Sequence, residues 1–272
     1  VHHQEADLRE REQVFEVVRR IAPEGVLHLA AAGVSYGGEG FGEMLRTNVL
    51  GTENLLAAVD SLEGKPPMVM AGSGYEYVPQ DRPIRETDPL GPTSEYGVAK
   101  AAASLCAALY ARWIPVTLLR LFNVYGPGEK EPRLIPYIVR AALRGETVKL
   151  TAGEQIRDYV YVEEAAESFW RALNTSPEDA TLRVLNVGMG AGVPLRGFVE
   201  QLVAVLARRG IHPRVVFGAR SYRPDEPMVY AANTAQLRRT LGWSPSVSVR
   251  EGLERTLDTL VCVDTQRHAP VS

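Results

Sequence analysis

Tyr96-Gly97-Val98-Ala99-Lys100 sets a phenol and an ammonium four residues apart, the spacing that places two side chains on one face of a helix. A tyrosine ordinarily titrates near 10, too high for easy proton exchange at neutral pH. A cation roughly 5 Å away, in surroundings of effective dielectric about 20, favours the phenolate by about 3 kcal/mol. Such a pair can act as a general acid/base. Lysine occurs only at 65, 100, 130 and 149, in a chain whose basic residues are otherwise arginine, so its appearance at this spacing carries weight. Taken alone, the pair also reads as an ordinary surface contact. Ser73 lies 23 residues earlier, in Gly72-Ser73-Gly74, directly after the apolar run Met68-Val69-Met70-Ala71. A hydroxyl there can donate to a substrate oxygen while Tyr96 transfers its proton; a plain turn residue is the competing reading.

The elements that must hold these groups follow from hydrophobic periodicity. Leu8, Val14, Phe15, Val18 and Ile21 share one face of a helix over 8–21, which Pro23 ends. Val26 to Ala31 reads as a buried strand, 44–62 as a helix, 68–71 as a strand, 95–113 as a helix and 116–122 as a strand closed by Gly126-Pro127-Gly128. Alternation at this rhythm predicts a doubly wound parallel sheet, which presents ligands beyond the C-terminal ends of its strands. The second half predicts helices near 134–144, 163–174, 195–209 and 249–260 and short strands near 148–151, 158–162, 183–188 and 214–217. It reads as a smaller lobe interleaved with the sheet. Residues 1–125, 155–187 and 228–240 are assigned to the sheet domain, and 126–154, 188–227 and 241–272 to the lobe.

Composition narrows the function classes. The 272 residues are 45% hydrophobic and 23% charged, with a net charge of −3, which offers no footprint for nucleic acid. No apolar run approaches the roughly 20 residues that span a bilayer, so a soluble cytoplasmic protein without a membrane partner is expected. The five histidines show no metal-ligand spacing, and the two cysteines, Cys106 and Cys262, form no disulfide framework; Cys106 reads as a small buried hydrophobe.

Six motifs in order make a resemblance specific: Leu27-His28-Leu29-Ala30-Ala31, Asn48-Val49-Leu50-Gly51-Thr52-Glu53-Asn54-Leu55-Leu56, Ser73, Tyr96 to Lys100, Arg120-Leu121-Phe122-Asn123-Val124-Tyr125-Gly126-Pro127-Gly128, and Arg157-Asp158-Tyr159-Val160-Tyr161-Val162. Leu185-Asn186-Val187-Gly188 and Leu241-Gly242-Trp243-Ser244-Pro245 follow in the tail. Over about residues 5 to 260 the chain resembles the extended short-chain dehydrogenases of the nucleotide-sugar epimerase/dehydratase family. The resemblance implies a Rossmann-type fold, NAD or NADP as cofactor and a nucleotide-diphosphate sugar as substrate. It implies Tyr96 as general acid/base, Lys100 as its partner and a ligand of the nicotinamide ribose, Ser73 orienting the substrate oxygen, and Asn48 supporting the proton network. It places Ala30, Ala31, Phe122 and Val124 along the cofactor and Asp7 near its adenine. Asn123 would contact the sugar nucleotide, and Arg157 and Arg223 would clamp its diphosphate, a task suited to a planar, permanently charged fork. The family commonly pairs through helices equivalent to 44–62 and 95–113, so a homodimer is expected.

Two departures matter. Dehydratases of the family carry an acidic pair directly after the Ser/Thr, where this chain has Gly74 and Tyr75, with Glu76 one place late. Dehydration is disfavoured, and hydride exchange at C4 of the sugar is expected, with a 4-ketoreductase preferred over a 4-epimerase on the loop Gly72 to Tyr77 and the Gly153-Glu154-Gln155 run. The second departure concerns the glycine-rich turn that holds a dinucleotide pyrophosphate at a helix N-terminus. Glycines 33, 37, 38, 40 and 42 follow the wrong strand and lack its spacing. In the order 3-2-1-4-5-6, residues 3–7 correspond to strand 3 and 26–31 to strand 4. Strands 1 and 2, roughly 50 residues or one and a half βαβ units, are then missing between them. A chain starting at Val1 therefore reads as a fragment, and a truncated relative that binds without catalysis is the alternative function.

Overall fold

Apolar residues at helical spacing, Val14 and Val18, put the inner face of α1 (Arg11–Ile21) against the sheet, and the left-handed Ala22 with Pro23 behind it stops the helix. The chain continues through β1 (Val26–His28), α2 (Phe41–Met44), a π-helical turn (Leu45–Leu50) that runs on into α3 (Gly51–Asp60), β2 (Met68–Ser73) and a 3₁₀ turn (Gly74–Glu76). It then forms α4 (Glu95–Tyr110), β3 (Val116–Leu121), β4 (Asn123–Tyr125), α5 (Leu134–Leu143), β5 (Thr147–Lys149), β6 (Ile156–Arg157), β7 (Tyr159–Tyr161) and α6 (Val162–Asn174). The remaining elements are β8 (Leu182–Val187), β9 (Val193–Pro194), α7 (Leu195–Ala207), β10 (Arg214–Val216), β11 (Val229–Tyr230), α8 (Ala235–Leu241) and α9 (Val249–Arg267). The computed structural model describes residues 2–33, 40–175, 177, 179–223 and 226–267. Gly37 and Gly38 lie outside these, as does the side chain of Cys262.

The main sheet has the order β1-β2-β3-β8, with every pair parallel. Ser73 lies opposite Leu121, and Leu121 opposite Val187, so the strands end along one edge. Side chains alternate across the pleat. Met68, Met70, Val116 and Leu118 face α1, α3 and α4. Val69, Leu119, Leu185 and Val187 face Phe169 of α6 and Leu237 and Leu241 of α8. A separate apolar cluster joins α5, α7 and α9 around Tyr125, Tyr159 and Phe198, whose last two rings stack at 3.8 Å.

The expected strand at residues 3–7 is not formed. That segment pairs with no sheet strand, and Asp7 instead closes a turn, accepting from the Arg9 amide at 2.9 Å. The strand expected over 26–31 stops at His28. Helix α1 begins at Arg11 because the Leu8 carbonyl is taken by Asn54 Nδ2 at 2.8 Å. The helix expected over 44–62 begins three residues earlier and carries a wider turn in its middle.

Candidate active site

Tyr96, Lys100 and Ser104 recur every four residues and line the face of α4 that meets the end of β2. Ser94 starts the helix, its Oγ accepting from the Gly97 amide at 3.1 Å. Gly97 lets the helix approach closely: a Cβ there would sit 2.4 Å from the Tyr75 carbonyl. Lys100 is buried, and its Nζ donates to the Ala71 carbonyl of β2. Burial lowers the ammonium, while the Glu76 carboxylate works against that shift.

Ser73 ends β2 and caps the 3₁₀ turn, its Oγ accepting from the Tyr75 amide at 3.2 Å. The turn reading and the catalytic reading of Ser73 are thus compatible: with one lone pair engaged by Tyr75, the hydroxyl keeps a proton to donate. Glu76 closes the turn from the other side. It is fully buried, its Oε1 accepting from the Ser73 amide at 2.7 Å and its Oε2 from Ser104 Oγ at 2.7 Å and Arg120 Nε at 2.8 Å.

Burial outweighs the lowering of Tyr96 expected from Lys100. Burial pushes the phenol up to about 12, the Glu76 carboxylate adds to this, and Arg133 and the Ser73 hydroxyl pull the other way. The Lys100 ammonium donates to the Ala71 carbonyl.

The other expected residues fall into three places. Asn48, buried in the π-helical turn, engages Ala32 with both ends of its amide, accepting from its N–H at 2.7 Å and donating to its carbonyl at 3.0 Å. It therefore fixes the loop that carries Ala30, exposed, and Ala31, half-buried. Phe122 is buried just beyond β3, and Asn123 and Val124 are half-buried in β4, with the Asn123 side-chain carbonyl oxygen buried and unpartnered. Arg157 is buried, ion-paired with Glu226, and donates to the Ile156 and Pro227 carbonyls at 2.8 Å each. Arg223 is exposed, and its charge acts, with those of Arg157 and Arg133, on the Tyr75 phenol. Asp7 stands apart: its carboxylate is engaged by Arg9, which holds it down at about 2.

Tyr230 has no place in the sequence reading, and Glu76 and Tyr75 enter it only through the acidic pair that dehydratases carry there and the loop Gly72 to Tyr77. Tyr75 stacks on Tyr230 at 4.5 Å, and Tyr230 packs on Phe122 at 4.8 Å. The Tyr230 hydroxyl is buried without a hydrogen-bond partner, and burial holds it well above its usual value. A Cβ on Gly74 would sit 2.5 Å from that hydroxyl, so the glycine is needed for the two segments to meet. The only local signal for Tyr230 is a two-residue strand, too short for periodicity to reveal.

The residues fit the nicotinamide end of a dinucleotide. Ala30 and Ala31 come just after β1 and the unpartnered Asn123 oxygen just after β3, at strand ends of a parallel sheet where such a ring binds, and Tyr96 and Lys100 lie on the helix face that meets the end of β2. Among the described residues no glycine-rich strand-turn-helix is present for its pyrophosphate, no cluster of three or more acidic, His or Cys side chains is placed to hold a metal, and no helix is long and apolar enough to cross a membrane.

Residues 1–188 match the NAD dependent epimerase/dehydratase family. The chain belongs to that family. Family members similar to it include the dTDP-glucose 4,6-dehydratase of Neisseria gonorrhoeae, 27% identical over 97% of this chain and 82% of that protein. The UDP-glucose 4-epimerase of Thermotoga maritima, solved with UDP-glucose, superposes with a TM-score of 0.84 at 26% identity, over 96% of this chain and 84% of its own. MoeE5, solved with UDP-glucuronic acid and NAD, superposes with a TM-score of 0.82 at 30% identity, over 96% of this chain and 85% of its own. The family is an enzyme family, and its α/β fold with a parallel sheet is the one this chain adopts.

Proposed function

We propose that this chain exchanges hydride between NAD(P) and C4 of a nucleoside-diphosphate sugar, in the direction of reducing a 4-keto-sugar. The observation that carries the reading is the direction of Glu76. The nearest carboxylate after Ser73 is fully buried and engaged by the Ser73 amide, Ser104 and Arg120, so it is turned away from any sugar. Elimination of water needs an acid and a base at the substrate, and this turn offers neither. What remains is the Ser73 hydroxyl, the Tyr96 phenol and the Lys100 ammonium, a set suited to moving one proton at one oxygen.

The cofactor, when bound, supplies the hydride. Ser73 holds the C4 oxygen, and Tyr96 delivers the proton that the forming alkoxide needs. A phenol held near 12 is a ready donor to an alkoxide. Lys100, one turn beyond it, is assigned to the ribose. Asn123 offers its unpartnered oxygen to the ligand. Arg157 and Arg223 are assigned to the diphosphate, Arg157 exchanging its Glu226 partner for phosphate as the ligand enters.

Epimerisation at C4 uses the same groups, and the Thermotoga 4-epimerase keeps it the nearest rival. The two differ in redox balance. The protein is given a 4-keto-sugar nucleotide and an equal amount of NADH or NADPH. The expected outcome is stoichiometric loss of absorbance at the reduced nicotinamide band. Interconversion of two hydroxy-sugars without net cofactor change would overturn the reductive reading.

A further inference from the structure

The Glu76 carboxylate sits behind Ser73 and is tied to three separate elements: the end of β2 through the Ser73 amide, α4 through Ser104, and β3 through Arg120. Room for it is built into the backbone, since a Cβ on Gly72 would lie 2.9 Å from its Oε1. Arg120 is in turn held over the Tyr77 ring, its guanidinium carbon 4.4 Å from the centroid. A buried ion pair is a poor device for stability alone, because an apolar pair of similar volume is often as stable or more so. Its value here is directional. The carboxylate fixes the amide of Ser73, and the same turn fixes the Ser73 hydroxyl through Tyr75. Tyr96 and Ser104 share one helix face, so the clamp also sets Ser73 against the phenol.

We propose that Glu76 is a positioning residue for the proton-transfer pair, fixing the Ser73 hydroxyl against the sugar oxygen and setting a buried carboxylate among the groups around Tyr96. The proposal rests on the reductive reading above. The groups that face Tyr96 are Glu76 and Tyr75 from the turn, Ser73 from β2, Arg133 from the start of α5, Tyr230 from β11 and Lys100 from its own helix. Glu76 is the carboxylate in this set, and its charge favours the protonated phenol while Arg133 opposes it. The sign follows directly: removing the charge moves the Tyr96 titration, and with it the alkaline limb of reduction, to lower pH.

Two substitutions separate the charge from the reach. Glu76→Gln keeps an oxygen for the Ser73 amide and loses the charge, together with the oxygen that accepts from Ser104 and Arg120. Glu76→Asp keeps the charge and draws it back from that amide by one methylene. With Gln, the alkaline limb of kcat/KM is expected to move down by at least half a pH unit, with KM for the nucleotide sugar within about threefold. With Asp, kcat is expected to fall roughly tenfold or more at every pH, of the order lost when a proton transfer is misaligned, while the limb stays in place. A purely structural role would lower the melting temperature and leave the limb unmoved in both. Ultraviolet difference titration of each variant against the same variant carrying Tyr96→Phe reads the phenol without turnover. A wild-type protein that reduces no keto-sugar therefore sinks the functional reading alone, and the titration still decides this one. Phenolate appearing at the same pH with Gln as with Glu, or kcat for Asp within twofold of wild type, would overturn the proposal. Should either variant fail to fold by circular dichroism, Ser104→Ala loosens the clamp without removing the charge. A several-fold fall in kcat at constant KM supports the proposal there, and an unchanged kcat refutes it.

Discussion

A phenol that must hand a proton to a sugar alkoxide gains nothing from being drawn towards phenolate, and Tyr96 is not so drawn. Its neighbours hold it protonated, and the Lys100 ammonium spends a hydrogen bond on the Ala71 carbonyl instead. Replacing Tyr96 by Phe removes the donor and keeps the ring. Turnover of the protein is expected to fall by roughly 10²–10⁴-fold, with cofactor affinity nearly unchanged in a fluorescence titration. Retention of more than about a tenth of wild-type turnover would exclude Tyr96 as the main acid. The spacing of Tyr96 and Lys100 and the strand-end position of Ser73 were legible in the sequence because both are local: one is a helical repeat, the other a strand terminus. The direction of the phenol's titration was not. It depends on Glu76, held by an Arg120 that lies 44 residues away, and on burial by segments that only the folded chain brings together.

The main strands and helices could be read from periodicity because each is long enough to show a face. Met68 to Ser73 and Val116 to Leu121 alternate between two apolar layers, and α4, α6 and α7 start within a residue of their expected positions. The two-residue strands β6, β9 and β11 and the seven-residue α8 carry no such signal. They exist through tertiary hydrogen bonds, and Asp158, between β6 and β7, supplies several. Its buried carboxylate accepts from the Met189 amide at 2.7 Å and from the Gly190 and Ala232 amides at 3.0 Å each, joining the ends of β8 and β11. Burial raises this group to about 6, and the three amides oppose the rise. Asp158→Asn replaces one oxygen by an NH₂ that cannot accept, leaving buried amides without a partner. The expected cost in urea unfolding at pH 7 is about 2–4 kcal/mol, from about 1–3 kcal/mol per unsatisfied group. A loss below about 0.5 kcal/mol would mean that the clamp is dispensable. Tyr230 leads directly into this region, so loosening it should also raise KM for the nucleotide sugar.

At the scale of the whole molecule, α4 has two faces with different tasks. One carries Tyr96, Lys100 and Ser104 against the sheet edge. The other turns Val98, Leu105 and Leu109 outward, with Leu105 63% and Leu109 52% exposed, beside Leu50 at 57% and Trp113 at 46%. Leu56 of α3, by contrast, is completely buried in the core, so the sequence pattern of leucines on these two helices divides between inside and outside. A row of exposed leucines on neighbouring helices costs solubility unless another surface covers it, and we propose that a second copy, the pairing expected from the family resemblance, covers it through a two-fold axis. The joint substitution Leu105→Glu and Leu109→Glu should convert a dimer into a monomer in sedimentation velocity at about 10 µM. Its effect on the stability of the single chain should be small, because exposed surface positions usually shift stability by no more than about 0.5 kcal/mol. A wild-type protein that sediments as a monomer at that concentration would refute the pairing. If the pairing holds, the glutamate variant also reports on catalysis, since α4 would lose the support of its outer face while its inner face remains intact. A fall in kcat without a rise in KM would then show that the dimer steadies Tyr96; unchanged kinetics would confine the interface to assembly.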